Sequence, residues 1–579
     1  MESREQSRER TGFPSVDKPW LKYYSEEAIN APLPECTIYE YLYENNKDYP
    51  SDIAINYLGR KISYKELFEN IEKTAAAFLK AGVKEKEIVT VALPSIPEAL
   101  YCVYALNKIG AVANMIHPLA GKEETLFYFN EVQSRIAVIF DGACSAIKDD
   151  IGESSVEKVI VASPADSLPM ALKLAYKLKV RAPALDGKVF QSWKSFVREG
   201  KGTPVQAVKK DCREMAVISH TGGTTGEPKG VMCSDYNINA LIWQVDQALP
   251  HGRQERMLVV LPPFINYSLV NGVFEPLSMG HTVILLPKYE PLQFVNYVRK
   301  YHPNHMNSIP AFFEALLRIK DAEKADYSCL KHIYYGGEAM SEETETAVNE
   351  LLCSHGAQYP VGKGLGMSEM VSSASLTLPQ CNIPGSAGVP FPRMECIIWD
   401  SDAKQEQHCG KLGEICFAGP TMMLGYYNNQ CATDEIIQEH PNGKRWLHTG
   451  DLGYINEDGV IFVTGRIKRI LITKGQDGQP TKMFPDRIEK SIYSYPAVAL
   501  CCVVGVPDRV RINYPKAYVV LKSAEGDSAR IREAILQICR ENLPAYMVPD
   551  EIEFRTDLPR TARGKIDYRE LERENQTKQ

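Results

Sequence analysis

The segment Thr221-Gly222-Gly223-Thr224-Thr225-Gly226-Glu227-Pro228-Lys229-Gly230 lies between an apolar run, Met215 to Ser219, and a helical pattern that starts after Ser234. Its glycines let successive backbone N–H groups point into one concavity, its threonines add hydroxyl donors and Lys229 adds charge. A strand, an anion-holding loop and a helix in that order suit a polyphosphate. The segment is not a Walker loop, because Pro228 replaces the glycine before the lysine and Gly230 replaces the Ser or Thr after it. Working outward, short apolar runs recur between amphipathic helical patterns at Ile88 to Leu93, Ile136 to Phe140, Met257 to Leu261, Thr282 to Leu286 and His332 to Tyr335. That alternation predicts an α/β fold of mainly parallel sheets covered by helices.

The clearest helix follows Ser341, a predicted N-cap, with Glu342 and Glu343 in its first turn and Ala347, Val348, Leu351 and Leu352 on one apolar face. From about residue 385 to 463 the pattern changes to short, glycine-punctuated strands, with a hairpin predicted across Asn456-Glu457-Asp458-Gly459. Beyond Arg466 a polar Gly/Pro loop, Lys474 to Phe484, leads into an α+β pattern whose helix starts near Ser528 and faces inward with Ile531, Ile535, Ile538 and Cys539. The expected division is a large N-terminal domain, 1–467, containing a β-rich subdomain at about 385–463, followed by a small mobile C-terminal lid domain, 468–579.

A chain of 579 residues is long enough for about three to five structural units. With 66 basic and 73 acidic residues the net charge is -7, which provides no global basic field for nucleic acid. The N-terminus, MESREQSRERTG, lacks the apolar core of a secretory signal. Met257 to Phe274 comes closest to an uninterrupted apolar run of membrane length, but Pro262, Pro263, Asn266 and Asn271 break it, so it reads as a buried strand and loop rather than a membrane span. The 15 cysteines form no CxxC or zinc-type Cys/His spacing. Spacing thus indicates reduced thiols in a cytoplasmic protein, and neither a structural metal nor a redox motif.

Further motifs follow in order: Gly336-Gly337-Glu338-Ala339, Gly364-Leu365-Gly366-Met367-Ser368-Glu369, His448-Thr449-Gly450-Asp451, Gly465-Arg466-Ile467-Lys468 and Leu558-Pro559-Arg560-Thr561-Ala562-Arg563-Gly564-Lys565. With the loop at 221–230, this series resembles the adenylate-forming superfamily, most closely its acid:CoA ligases, over about Tyr39 to Leu571. The resemblance implies ATP, Mg²⁺ and CoA as cofactors. It implies phosphate binding by Thr221, Gly222, Gly223, Thr224, Thr225, Gly226 and Lys229, and adenine-side contacts from Gly337, Glu338, Ala339, Gly364, Leu365, Gly366, Met367 and Ser368. Asp451 and Arg466 would hold the ribose side, Glu369 the metal, Lys565 the reacting phosphate, and Lys468 would be the hinge of a rotating lid. A carboxylate of pKa about 4 to 5 is already ionised at pH 7, so the reaction needs no general base.

The chain departs from that pattern in places. Leu365 stands where an aromatic usually stacks on adenine, and Asn266 where the acyl-CoA branch usually has a histidine. No acid lies between Arg256 and Glu275 to pair a substrate ammonium, which argues for a hydrophobic carboxylic acid, fatty or aromatic, over an α-amino acid. Candidate pocket walls are Asn266, Tyr267, Ala311, Phe312, Tyr335 and Met367, with Lys363 expected on the rim. The loop after Gly475 is long for a thiol tunnel, which keeps a carrier protein open as the alternative acceptor. An inactive nucleotide-binding relative is a third reading, which the presence of Lys565, Glu369, Asp451 and Arg466 opposes. The stretch Leu168 to Val180 interleaves Lys173, Lys177 and Lys179 with leucines, leaving a peripheral membrane contact open beside a helix packed on its own domain.

Overall fold

The computed structural model describes residues 10–179, 183, 185–221, 228–474, 479–508, 510–522, 528–560 and 566–576. The chain divides into two compact units, a larger one of Lys18–Glu395 and Phe417–Leu447 and a smaller one of Met1–Asp17, Cys396–Cys416 and His448–Gln579.

The larger unit holds two large sheets, besides the short pair Ser375–Leu376 and Val389–Pro390. The first runs edge to edge as Gly362–Lys363, His332–Tyr335, His305–Ser308, Arg256–Val259, Thr282–Leu285, Ile53–Tyr57 and Arg60–Ser63. All of its pairings are parallel except the last. The second runs as Gly425–Tyr426, Lys229–Ser234, Met215–Thr221, Val112–Met115, Ile88–Ala92, Ile136–Phe140, Lys158–Ala162 and Phe190–Ser192, parallel from Met215–Thr221 onward. Every apolar run singled out in the sequence is a strand of one of these sheets. Ile88–Ala92 and Thr282–Leu285 are buried at every position, as strands covered on both faces must be.

One expectation is corrected. Met257 to Phe274 does begin in a strand, but Asn266–Ser268 and Leu269–Phe274 are helical and lead into Glu275–Ser278. Leu269, Val270, Val273 and Phe274 are buried there, and a buried loop would leave backbone groups unpaired that a helix pairs internally. The helix Glu342–Ser354 is capped as predicted, Ser341 accepting from the Thr344 N–H, although its buried face includes Glu345 besides Val348 and Leu352. Met170–Lys179 is helical, and Met170, Leu172, Leu174 and Leu178 are exposed. No helix among the described residues is long and apolar enough to cross a membrane.

In the helix Pro97–Lys108 every residue is buried, including Glu98, whose Oε1 accepts from the Ser167 hydroxyl at 2.6 Å. Burial pushes this carboxyl up to about 8, only partly offset by the Ser167 bond. Its folded pKa is above its unfolded value, so its stability contribution is full below pH 4.5 and is lost as pH rises through 8. Glu98→Gln is therefore expected to flatten the fall in thermal midpoint between pH 5 and 8.5, by an amount on the order of 4 kcal/mol at the alkaline end. An unchanged pH profile would refute the buried, protonated state.

In the smaller unit Asp451–Ile455, the end of the strand Arg445–Ile455, pairs antiparallel with Ile461–Arg466 across the predicted turn, where Gly459 N–H donates to Asn456 O at 3.0 Å. The C-terminal sheet is Val498–Asp508, Ile512–Leu521 and Glu551–Arg555. Ile488 and Ile492 of Pro485–Tyr493 and Ile535 and Cys539 of Ser528–Asn542 pack in one core with Val503 and Val519, and Leu571 of Tyr568–Gln576 packs in another with Cys502 and Tyr518. The long loop after Lys474 is a hairpin, Leu471–Lys474 paired antiparallel with Pro480–Met483. Its tip, 475–478, lies outside the described residues. All fifteen cysteines are free thiols, in keeping with their spacing.

Candidate active site

In the larger unit several motif residues sit at or just after the carboxyl ends of parallel strands, Thr221 ending Met215–Thr221, Gly336 following His332–Tyr335 and Gly364 following Gly362–Lys363, the usual place for ligands in open α/β sheets. The strands on either side of the glycine-rich segment pair antiparallel, Thr221 with Lys229 and His220 with Gly230. Gly222, Gly223, Thr224, Thr225 and Gly226 lie outside the described residues. Lys229 Nζ stands 4.9 Å over the ring of Tyr426, whose hydroxyl donates to Glu369 Oε1 at 2.6 Å. Tyr426 is placed by pairing with Val231 in the neighbouring strand. Burial and the Glu369 charge raise its phenol pKa, so it remains a proton donor. It thus links the phosphate-loop lysine to the predicted metal carboxylate, a role with no sequence signal because the contact depends on strand register. Glu369 is itself buried, on the turn Ser368–Met370. One fixed carboxylate of this kind fits Mg²⁺ on a nucleotide, which takes one or two protein carboxylates and keeps several waters.

The glycine-rich motif before Glu369 is dictated by close approach. A Cβ on Gly366 would stand 1.8 Å from the Ser372 carbonyl oxygen, and Ala374 N–H donates to Leu365 O at 2.9 Å. Just beyond Glu369, Val371 takes φ 64 and ψ -53, and Ser372 N–H donates to Met370 O at 2.7 Å across it. A β-branched residue in such a tight turn is strained by about 1–3 kcal/mol, and strain of this kind concentrates at ligand sites. Gly366→Ala is expected to destabilise the larger unit by about 1–3 kcal/mol and to depress ATP–pyrophosphate exchange, because the clashing atom is backbone. An unchanged thermal midpoint together with unchanged exchange would count against this packing.

Gly337, Glu338 and Ala339 are exposed after the strand His332–Tyr335, with Gly337 at φ 82. Leu365, Met367 and Ser368 are half-buried. Asn266 is buried, and its Nδ2 donates to Ser368 O at 3.5 Å and to Cys233 Sγ at 3.6 Å. Its Oδ1 has no hydrogen-bond partner among the described residues. The amide as placed therefore presents an acceptor, and donating to a carboxylate requires it to turn over. Tyr267 packs beside Gly336, Ala311 is exposed, and Phe312 is half-buried against Tyr289 at 4.9 Å.

Lys363 is not on a rim. It is buried and ion-paired with Glu345 Oε1, while Glu345 Oε2 accepts from the Tyr335 hydroxyl at 3.0 Å. A buried ammonium needs such a partner, and here the helix after Ser341 provides it.

In the smaller unit Asp451 and Arg466 face each other across the strand pair, with Arg466 Nε 2.8 Å from Asp451 Oδ1 and Arg466 Nη1 donating to Thr449 O at 3.2 Å. Glu414, which the motifs did not indicate, holds the turn in front of Asp451. Its Oε2 lies 2.7 Å from His448 Nδ1 and its Oε1 accepts from Gly450 N–H at 2.9 Å. Lys468 is exposed on the turn Ile467–Arg469. Its neighbour Arg469 is the anchor, donating to Asp486 Oδ1 at 2.5 Å and to Glu489 Oε1 at 2.6 Å. Lys565 falls in 561–565, outside the described residues, between Arg560 and Ile566, which bridge antiparallel.

Residues 42–427 match the AMP-binding enzyme family and residues 487–565 match the AMP-binding enzyme C-terminal domain. The chain belongs to the AMP-binding enzymes, the adenylate-forming ligases. It is 29% identical over 566 residues to a long-chain-fatty-acid–CoA ligase of Bacillus subtilis (strain 168), covering 96% of this chain and 97% of that one. It is 28% identical over 557 residues to probable 4-coumarate–CoA ligase 1 of Dictyostelium discoideum, covering 94% of this chain and 96% of that one. The solved structure of the anthranilate CoA ligase AuaEII in complex with anthranoyl-AMP superposes with a TM-score of 0.81 at 23% identity, over 95% of this chain and 99% of that one. That likeness is one of fold: parallel-sheet N-terminal domains, a β half-barrel subdomain and a separate α+β C-terminal domain.

Proposed function

We propose that the protein activates a hydrophobic carboxylic acid, fatty or aromatic, in two steps. The acid and ATP give acyl-AMP and pyrophosphate, and CoA then displaces AMP to give the acyl thioester. The observation that carries this reading is similarity to acid:CoA ligases along 94–96% of the chain, through both matched family regions.

In this reading the glycine-rich segment after Thr221 and Lys229 hold the phosphates, and Tyr426 orients the Glu369 carboxylate that would bind Mg²⁺. The ion, when bound, supplies positive charge to the phosphate oxygens. Asp451 accepts from the ribose hydroxyls while Arg466 keeps that carboxylate in place. Lys565 offsets charge gathering on the α-phosphate as the carboxylate attacks, so catalysis rests on positioning and electrostatics. The segment around Lys468 carries the lid between the two steps, with the division at 467/468. Asn266, Tyr267, Ala311, Phe312, Tyr335 and Met367 line the acyl side, although the Tyr335 hydroxyl is committed to Glu345.

The test is pyrophosphate release over a panel of fatty, aromatic, sterol-type and amino acids, each with and without CoA. CoA-dependent turnover with one hydrophobic class is expected. Release that is indifferent to CoA, with acyl-AMP retained, would replace CoA by a carrier protein.

The helix Met170–Lys179 supports a further part of this reading, contact with an anionic lipid surface that supplies the acid. Its exposed large apolar residues, Met170, Leu172, Leu174 and Leu178, lie in a stretch, 167–185, with four basic side chains and no acidic one. Co-sedimentation with phosphatidylserine-containing vesicles is expected, lost in Leu174→Glu/Leu178→Glu. Equal sedimentation of both proteins would remove the membrane contact.

A further inference from the structure

The amino-terminal ends of the first sheet carry a second cluster, remote in function from the nucleotide loops. Glu255 precedes the strand Arg256–Val259, His281 precedes Thr282–Leu285, and His305 and His332 open the next two strands. Parallel register aligns Arg256 with Thr282, Met257 with His305 and His305 with His332, so these side chains emerge side by side. The His281 and His305 rings stack at 5.0 Å and 14°, and His305 continues to His332 at 5.4 Å. One ligand atom from each of Glu255, His281 and His305 lies within 4.8 Å of the others; His281 and His305 are buried and the Glu255 side chain is 11% exposed.

We propose that Glu255, His281 and His305 form a structural binding site for Zn²⁺, tying together the starts of three adjacent strands. Two observations carry it beyond proximity. First, His281 is 1% exposed and its Nδ1 has no hydrogen-bond partner among the described residues, while its Nε2 meets only His251 Nδ1, at 3.2 Å. An unpaired imidazole nitrogen buried this deeply is a cost that a metal–nitrogen bond removes. Second, the donors are two imidazoles and one carboxylate, the set that suits Zn²⁺, whereas Mg²⁺ and Ca²⁺ take oxygen. Lys331 pairs with Glu255 Oε1, which leaves Oε2, now 2.5 Å from His305 Nε2, as the ligating oxygen. The ion takes the place of the proton between those atoms, so His305 carries its proton on Nδ1 when metal is bound. Water completes the tetrahedron. The three ligands come from separate strand–helix repeats, so no local spacing announces them.

A second trio, Glu414, Cys416 and His448, also lies within ligand distance, but both Glu414 oxygens already hold the Asp451 turn. Zinc-edge X-ray absorption separates the two. Chelator-stripped full-length protein given one equivalent of Zn²⁺ is expected to retain it, with a nitrogen/oxygen shell at about 2.0–2.1 Å, imidazole back-scattering and no sulfur at about 2.3 Å. Zn²⁺ should also raise the thermal midpoint. His281→Asn should lose the bound equivalent and the rise, while His332→Gln, in the same stack but outside the trio, should keep both. Absence of stoichiometric uptake, a sulfur shell, or unchanged uptake in His281→Asn would overturn the proposal. Should His281→Asn fail to fold, the shell measured on the unaltered protein decides.

Discussion

Lys565→Ala is expected to lower adenylate formation by about 10²- to 10³-fold while sparing thiolysis of supplied acyl-AMP. The argument is electrostatic. The attacking carboxylate needs no deprotonation, so the barrier lies in bringing two anions together, and an ammonium at the α-phosphate lowers it most where charge accumulates. The second step expels AMP and gathers no such charge at that position. The flanks of that segment are ordered: Leu558 is buried, Asp567 N–H donates to Pro559 O at 2.8 Å, and Arg560 bridges Ile566, while Lys565 itself lies outside the described residues. ATP–pyrophosphate exchange and single-turnover thiolysis check the two steps separately. An equal fall in both would mean that the variant damages the lid, not the chemistry.

Arg469→Ala should destabilise the smaller unit by about 3–5 kcal/mol. Arg469 Nη1 and Nη2 reach both Glu489 oxygens, at 3.0 and 2.6 Å, and Nη2 also donates to Val503 O at 3.0 Å. The Glu489 side chain is only 12% exposed, and its burial pushes the carboxyl up against the downward pull of Arg469. Without the guanidinium the carboxylate keeps the Val503 N–H at 2.6 Å but is buried with no counter-charge, so it will take up a proton. The loss should therefore be greatest above neutral pH and shrink toward pH 5, and Glu489→Gln in the same chain should restore part of it. Thermal unfolding monitored across pH checks this, and a loss independent of pH would point to lost packing alone. The turn bearing Lys468 adjoins this anchor, so weakened ion pairing should also quicken hydrogen exchange at 467–470.

Much of the architecture was legible because it depends on local pattern. Six apolar runs marked strands, since a strand buried on both faces must be apolar throughout, and Ser341 marked a helix start because its hydroxyl can reach an otherwise unpaired N–H. Asn456 to Gly459 marked a turn for a similar reason. In the stretch after Pro262, proline and asparagine suggest a loop. Burial decided otherwise, since a helix alone pairs that backbone away from water.

The motif residues themselves were equally legible, as residue types at fixed intervals. What they touch was not. Tyr426 reaches Glu369, Lys363 reaches Glu345, Glu414 reaches Gly450 and Glu255 reaches His305 because strands, turns and helices separated in the chain are packed together in the fold. A desolvated charge or donor accepts whichever partner that packing brings within about 3 Å. Sequence alone thus determined the class of fold and the order of the nucleotide motifs, through short-range periodicity and turn chemistry. The pairing of each buried polar group was decided by tertiary structure, because only the folded sheet sets those distances.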